Sequence, residues 1–164
     1  MQRTKLETKD TRVVVTVTVK ASIERAFRVY TEGFDSWWPR GHKLGAAALD
    51  KVVIEPRVGG RWFERTVDGA ECDWGRVLAW EPPHRLVLSW HLDGNWEIDP
   101  DPSHASEVEI TFVAEGPKLT RVTVDHHDLD RHLTGADSVR KGISSPEGLP
   151  GIVARYADIA DEPT

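Results

Sequence analysis

Arg57-Val58-Gly59-Gly60-Arg61-Trp62-Phe63-Glu64-Arg65, followed by Gly75-Arg76-Val77-Leu78-Ala79-Trp80-Glu81-Pro82-Pro83-His84-Arg85-Leu86-Val87-Leu88-Ser89-Trp90, reads as three consecutive antiparallel strands. Gly59-Gly60 removes two side chains where a strand begins, which permits a bulge or a positive φ and adds local twist. Asp68-Gly69 signals a type I′ hairpin between strands over 61–67 and 72–80. Pro82-Pro83 cannot donate to a ladder and so separates the second strand from the third. Over 85–92, Leu86, Leu88, Trp90 and Leu92 alternate with Val87, Ser89 and His91, the pattern of a sheet with one buried face. No catalytic motif lies in this stretch.

Outward toward the N-terminus, 48–56 reads as another strand, and 40–47 as a glycine-bearing loop. Residues 34–38 form a short helical turn stopped by Pro39. Ser22 is the expected N-cap of a helix over 23–31 that buries Ile23, Ala26, Phe27 and Tyr30. Val13, Val15, Val17 and Val19 mark a first strand over 11–20, preceded by a polar segment, 1–10. Toward the C-terminus, 93–105 is a polar loop with Pro100 and Pro102, expected to be mobile. Residues 107–114 and 120–127 alternate as half-buried strands. Leu149, Ile152, Val153, Tyr156, Ile159 and Ala160 form one helical stripe, with Ser145 and Pro146 as expected N-cap and first position, or a start near Pro150.

The chain has 164 residues, 39% hydrophobic and 29% charged, enough for one domain with its own core. A net charge of −6 argues against nucleic acid or an anionic membrane as partner. The single cysteine, Cys72, rules out an internal disulfide, and no signal-peptide pattern or apolar span is present. A cytoplasmic protein is expected.

Strand, two short helices, six strands and a long helix imply an α+β fold. A curved antiparallel sheet of about seven strands must be covered on its apolar face, and only the last helix is long enough to do so. The pattern resembles the helix-grip fold of the START-like (SRPBCC, Bet v 1-like) superfamily, and within it the branch related to the activator of heat shock protein 90 ATPase. The resemblance is carried in order by Ala21-Ser22-Ile23-Glu24-Arg25-Ala26-Phe27, Trp37-Trp38-Pro39, Val58-Gly59-Gly60-Arg61-Trp62, Gly75-Arg76-Val77-Leu78, Pro82-Pro83-His84-Arg85-Leu86 and Ser89-Trp90. It implies one START-like domain over 11–161. The branch usually opens its last helix with Gly-Trp, where this chain has Gly148-Leu149. A different pocket shape is therefore expected on the same fold.

The superfamily uses the space between helix and sheet as an apolar cavity. The resemblance therefore implies Phe34, Trp38, Trp62, Trp74, Trp90, Phe112, His126, Ile152 and Tyr156 as ligand-binding candidates. The simpler alternative is that these rings fill the core themselves. His126, on the inner face of the last strand, is the one acid–base candidate, although a general base needs a positioned partner. Asp125-His126-His127-Asp128 with Asp130 and His132 invites a metal reading, but adjacent strand residues face opposite ways, so His126 and His127 do not readily share one ion, and no recognised ligand spacing is present. Arg57, Arg61, Arg65, Arg76 and Arg85 with Glu64, Glu71, Asp73 and Glu81 form a cross-strand network on the solvated face. Cys72 lacks a partner, and no cofactor motif is present.

Three functions follow: non-catalytic binding of a small hydrophobic molecule, which leads; a chaperone-ATPase regulator or other protein-interaction module; and a cyclase or hydratase-type enzyme using the same cavity. The binding reading predicts a gate at 93–105 or 40–47. An exposed sheet edge is compatible with a homodimer.

Overall fold

The computed structural model describes residues 4–9, 11–133 and 135–163. Its strands are β1 (Lys5–Lys9), β2 (Arg12–Val19), β3 (Leu49–Ile54), β4 (Arg61–Thr66), β5 (Glu71–Glu81), β6 (Arg85–Trp90), β7 (Ser106–Gly116) and β8 (Leu119–His127). Its α-helices are α1 (Ile23–Thr31), α2 (Phe34–Trp37), α3 (Ala136–Ser144) and α4 (Leu149–Asp161). The strands form one antiparallel sheet in the order β1-β2-β8-β7-β6-β5-β4-β3. The chain starts at one edge, crosses through α1 and α2 to the other, and returns by a meander that sets β8 beside β2. This is the helix-grip fold.

Burial follows the alternation of the sequence. Val13, Val15, Val17 and Val19 of β2 and Val122 and Val124 of β8 are buried, with Val15 opposite Val124 and Val17 opposite Val122. α4 crosses this surface with Val153, Tyr156, Ala157 and Ala160 inward. Five hydrogen bonds from three side chains fix the C-terminal half of α4. The Tyr156 hydroxyl donates to the Ala26 carbonyl at 2.7 Å, Arg155 Nε to the Trp37 carbonyl at 2.9 Å, and the Arg25 guanidinium to the Ile159, Ala160 and Glu162 carbonyls. Burial and the charges around it push the Tyr156 hydroxyl well above the usual tyrosine range, so it stays a donor. Ser22 caps α1 through the Arg25 N–H.

Four details differ from expectation. The sheet gains β1 in the polar segment, of which residues 1–3 and 10 lie outside the described residues; all five β1 side chains are exposed, so no apolar alternation announces the strand. A further helix, α3, lies over 136–144 and buries only Val139 and Ile143, against Val13 and Leu129. Ser145 ends α3 rather than capping the last helix: its hydroxyl donates to the Gly142 carbonyl at 2.8 Å, and Leu149 begins α4 with Pro150 in the first turn, where a missing N–H is harmless. The Asp68-Gly69 turn is not type I′, which needs two positive φ angles. Only Gly69 is left-handed, at φ 87°, and Thr66 bonds both Gly69 and Ala70, giving a three-residue loop with a glycine bulge.

Gly75 is where two backbones must approach closely. A Cβ there would lie 1.8 Å from the Ser89 carbonyl oxygen and 2.4 Å from Trp62 Nε1. The arginines Arg61, Arg65, Arg76 and Arg85 pair with Asp73, Glu71, Glu81 and Glu109 on the outer face, as expected of a solvated network. Glu64 does not join them; it faces inward.

Candidate functional site

Between α2, the start of α4 and the inner face of the sheet lies a cavity of about 410 Å³. α2 and the residue after it supply Phe34, Trp37 and Trp38; the strands supply Trp62, Trp74, Trp90 and His126; α4 supplies Leu149 and Ile152. Phe112 and Tyr156 do not line it. Phe112 packs edge-on against Phe27 and Tyr30, and Tyr156 is spent on its bond to α1. Both alternate onto the inner face or apolar stripe, but at the end of the sheet where α1 and α4 already close over it.

The tryptophans make edge or tilted contacts rather than parallel stacks: Trp62 with Trp74 at 5.4 Å, Trp38 with Trp74 at 5.0 Å and Trp62 with Trp90 at 5.7 Å. Their N–H groups are mostly consumed by the protein. Trp37 donates to the Val29 carbonyl, Trp38 to the His42 carbonyl, Trp62 to the Ser89 carbonyl and Trp74 to the Glu64 carboxylate. This turns ring faces and edges toward the cavity. Trp90 differs: its Nε1–H is buried with no hydrogen-bond partner among the described residues. An unpaired buried donor costs about 1–3 kcal/mol.

Glu64 is the residue that sequence reading misassigned. It is fully buried, and its carboxylate accepts from the Leu44 N–H at 2.5 Å, the Gly45 N–H at 3.0 Å and Trp74 Nε1–H at 3.0 Å. It thereby ties the 40–47 loop, which forms one wall of the mouth, to the strands beneath. The signal was present: Glu64 is two residues from Trp62 and so shares its face. Outward-facing Phe63 is covered instead by the Arg61 guanidinium, 3.9 Å from its ring centre.

The mouth lies among Gly41–Leu44, Trp96 and the α3–α4 connection, so both segments expected to gate it border it. Trp96 takes a left-handed backbone at φ 58°, is 45% exposed, and packs on Gly142, where a Cβ would lie 2.9 Å from the indole. His42 faces Glu147 and Arg155 across this opening, and burial holds its imidazole below the ordinary range.

His126 lines the deep end, edge-on to Trp90 at 5.1 Å. Its Nε2 lies 2.7 Å from Ser106 Oγ, and the same oxygen lies 2.8 Å from Nε2 of His132. All three residues are buried. Burial, reinforced by the neighbouring His132 and His127, pushes His126 down to about 3. His127 faces the other way, as strand geometry requires. Glu107, His127 and Asp128 bring their ligand atoms within 4.8 Å of one another, but Arg131 pairs with both carboxylates and supplies the cation there. Cys72 is partly exposed, and burial with the charges of Glu64 and Asp73 raises its thiol, so it stays protonated and unreactive.

Residues 20–145 match the family model described as Activator of Hsp90 ATPase homolog 1-like protein. The chain belongs to this family. Within its fold, the chain is 41% identical to an anthrahydroquino-gamma-pyrone synthase, Txn09, solved complexed with SUM, over 93% of this chain and 99% of that one, with TM-score 0.65. It is 35% identical to CalC, a self-sacrificing resistance protein from Micromonospora echinospora, over 93% and 95% of the two chains, with TM-score 0.67. NE0264 from Nitrosomonas europaea, 14% identical over 92% and 94% with TM-score 0.61, shares the fold. No curated protein matches the chain. Among the described residues no helix is long and apolar enough to cross a membrane.

Proposed function

We propose that this member of the Activator of Hsp90 ATPase homolog 1-like family binds a flat, polycyclic aromatic molecule of polyketide type in the cavity between α4 and the sheet. The observation that carries this is the wall itself. Trp38, Trp62, Trp74 and Trp90 surround a cavity of about 410 Å³ whose polar side chains are few: His126 at depth, and His42, Lys43, Ser145 and Glu147 toward the mouth. That volume falls within the usual range for small-molecule sites, and aromatic walls favour rigid rings over flexible chains, which lose more conformational freedom on binding. The 41% identity to a protein named as the synthase of an anthrahydroquinone-γ-pyrone supports the same ligand class.

The test is a titration with 1,2-dihydroxyanthraquinone, read by quenching of tryptophan fluorescence, with a long-chain fatty acid as comparison. Saturable one-to-one quenching by the anthraquinone, at least about tenfold tighter than the fatty acid (about 1.4 kcal/mol), is the expected result. Equal affinity for the two, or no saturable response, would remove the proposal.

A further inference from the structure

The Ser106 hydroxyl sits between two buried imidazoles, those of His126 and His132. A serine Oγ within 2.8 Å of two Nε2 atoms can donate to one ring and accept from the other. His126 opens onto the cavity, and since Nε2 is held by Ser106, Nδ1 is the nitrogen left for a ligand. His132 lies beyond the end of β8, on the side of the 93–99 loop. We infer that His126, Ser106 and His132 form a proton relay that ionises an acidic hydroxyl of an aromatic ligand held in the cavity. The inference rests on the binding reading above and extends it to the ligand's chemistry: a phenol or enol rather than a hydrocarbon.

The step balances without any further reactant. In the starting tautomers, His126 Nε2–H donates to Ser106 Oγ, and Ser106 O–H donates to His132 Nε2. The ligand O–H passes its proton to His126 Nδ1. His126 passes its Nε2 proton to Ser106 Oγ, and Ser106 passes its own proton to His132 Nε2. The products are a ligand oxyanion, a neutral His126 of the opposite tautomer, an intact Ser106 hydroxyl and a His132 imidazolium.

The surroundings set the direction of transfer. His126 faces Trp90, Val108 of β7 and Val13 of β2, with His132 and His127 as its ionisable neighbours, so among the described residues nothing there stabilises a positive ring. His132 is also held down by burial and by His91, but Asp93 and Asp99 act in the opposite sense. The adjacent Arg131 is engaged by Glu107 and Asp128. A proton entering at the cavity is therefore better placed on His132 than on His126.

The test uses 1,2-dihydroxyanthraquinone, whose visible colour changes on ionisation, with wild type, Ser106→Ala and His132→Gln, each checked by thermal melting. Bound to wild type, the dye should ionise at a pH lower by about one unit than when free, a tenfold change in its ionisation constant. Both variants should bind the neutral dye at low pH within about threefold of wild type yet lose that shift. Nitrogen NMR of the wild-type complex should show the imidazolium on His132. An equal shift in a folded Ser106→Ala or His132→Gln variant, or an imidazolium on His126, overturns the relay. Dye bound to wild type without a shift overturns the relay and leaves the cavity reading standing. Failure of the dye to bind wild type overturns both.

Discussion

The indole N–H of Trp62 on β4 donates to the main-chain carbonyl of Ser89 on β6 at 2.7 Å, reaching across the intervening strand at Gly75. Only a residue without a side chain leaves room for that bond. Gly75→Ala should therefore break it or displace β5. Overpacking plus an orphaned buried indole predicts a loss of about 2–4 kcal/mol, read as a fall in the denaturant midpoint. A change below about 0.5 kcal/mol would mean that the close approach is not as described.

Glu64 tethers the mouth of the cavity from below. Glu64→Gln keeps the shape but places an NH₂ group where two backbone N–H donors and one indole converge, and one oxygen cannot accept all three. The 40–47 amides should exchange with solvent faster, and stability should fall by about 1–3 kcal/mol. Unchanged exchange at Leu44 and Gly45 would count against the tether.

The depressed imidazoles predict an acid-labile fold with a definite sign. His126 has a folded value of about 3 against an ordinary 6.5, so the unfolded chain binds the proton first. Its contribution is fully present above about pH 6.5 and is lost as pH falls from there toward 3, at up to ~1.4 kcal/mol per pH unit. His132 and His42, also lowered, act in the same direction. Comparing melts at pH 7.5 and 5, His126→Gln should show a smaller drop than wild type. An equal drop in both would place the acid sensitivity elsewhere.

Trp90→Phe separates stability from binding. The smaller ring gives up buried area but also removes a buried donor that has no partner among the described residues, so the two effects oppose each other. Net stability should change by less than about 1.5 kcal/mol, while affinity for 1,2-dihydroxyanthraquinone falls about tenfold or more. A large loss of stability would show that the N–H is satisfied after all.

Trp96 is exposed at the mouth and held in a backbone conformation that Asn tolerates well. Trp96→Asn should leave the melting temperature nearly unchanged and raise the dissociation rate of bound dye. An unaltered off-rate in stopped flow would remove Trp96 from the gate.

The fold was legible because most of its strands advertise a buried face, as in the valines of β2 or Leu86, Leu88 and Trp90 of β6. β1 and α3 were not, for one physical reason: β1 exposes every side chain and α3 buries two, so each is held by what it joins rather than by its own pattern. Within the site, period-two alternation put Trp90 and His126 on inner faces, and the same rule applied to the strand of Trp62 would have turned Glu64 inward as well. It could not separate Phe112 and Tyr156 from the cavity, because that depends on where α1 closes over the sheet. Nor could it link His126 to Ser106, 20 residues earlier, which requires the β7–β8 register.

The bonds on α4 are unevenly distributed. Arg155, Tyr156 and the carbonyls of Ile159, Ala160 and Glu162 are all anchored to α1 or α2, whereas the first turn lines the cavity through Leu149 and Ile152 and is held by apolar packing against α3. Mechanically the helix is a cantilever, clamped at its far end and loaded at its tip. A change in the size of whatever fills the cavity should then be taken up by tilt at the Glu147-Gly148-Leu149 end, with the C-terminal clamp held fixed. Substitutions that lengthen or stiffen the 145–149 connection should therefore retune which molecules are accommodated without altering the aromatic wall.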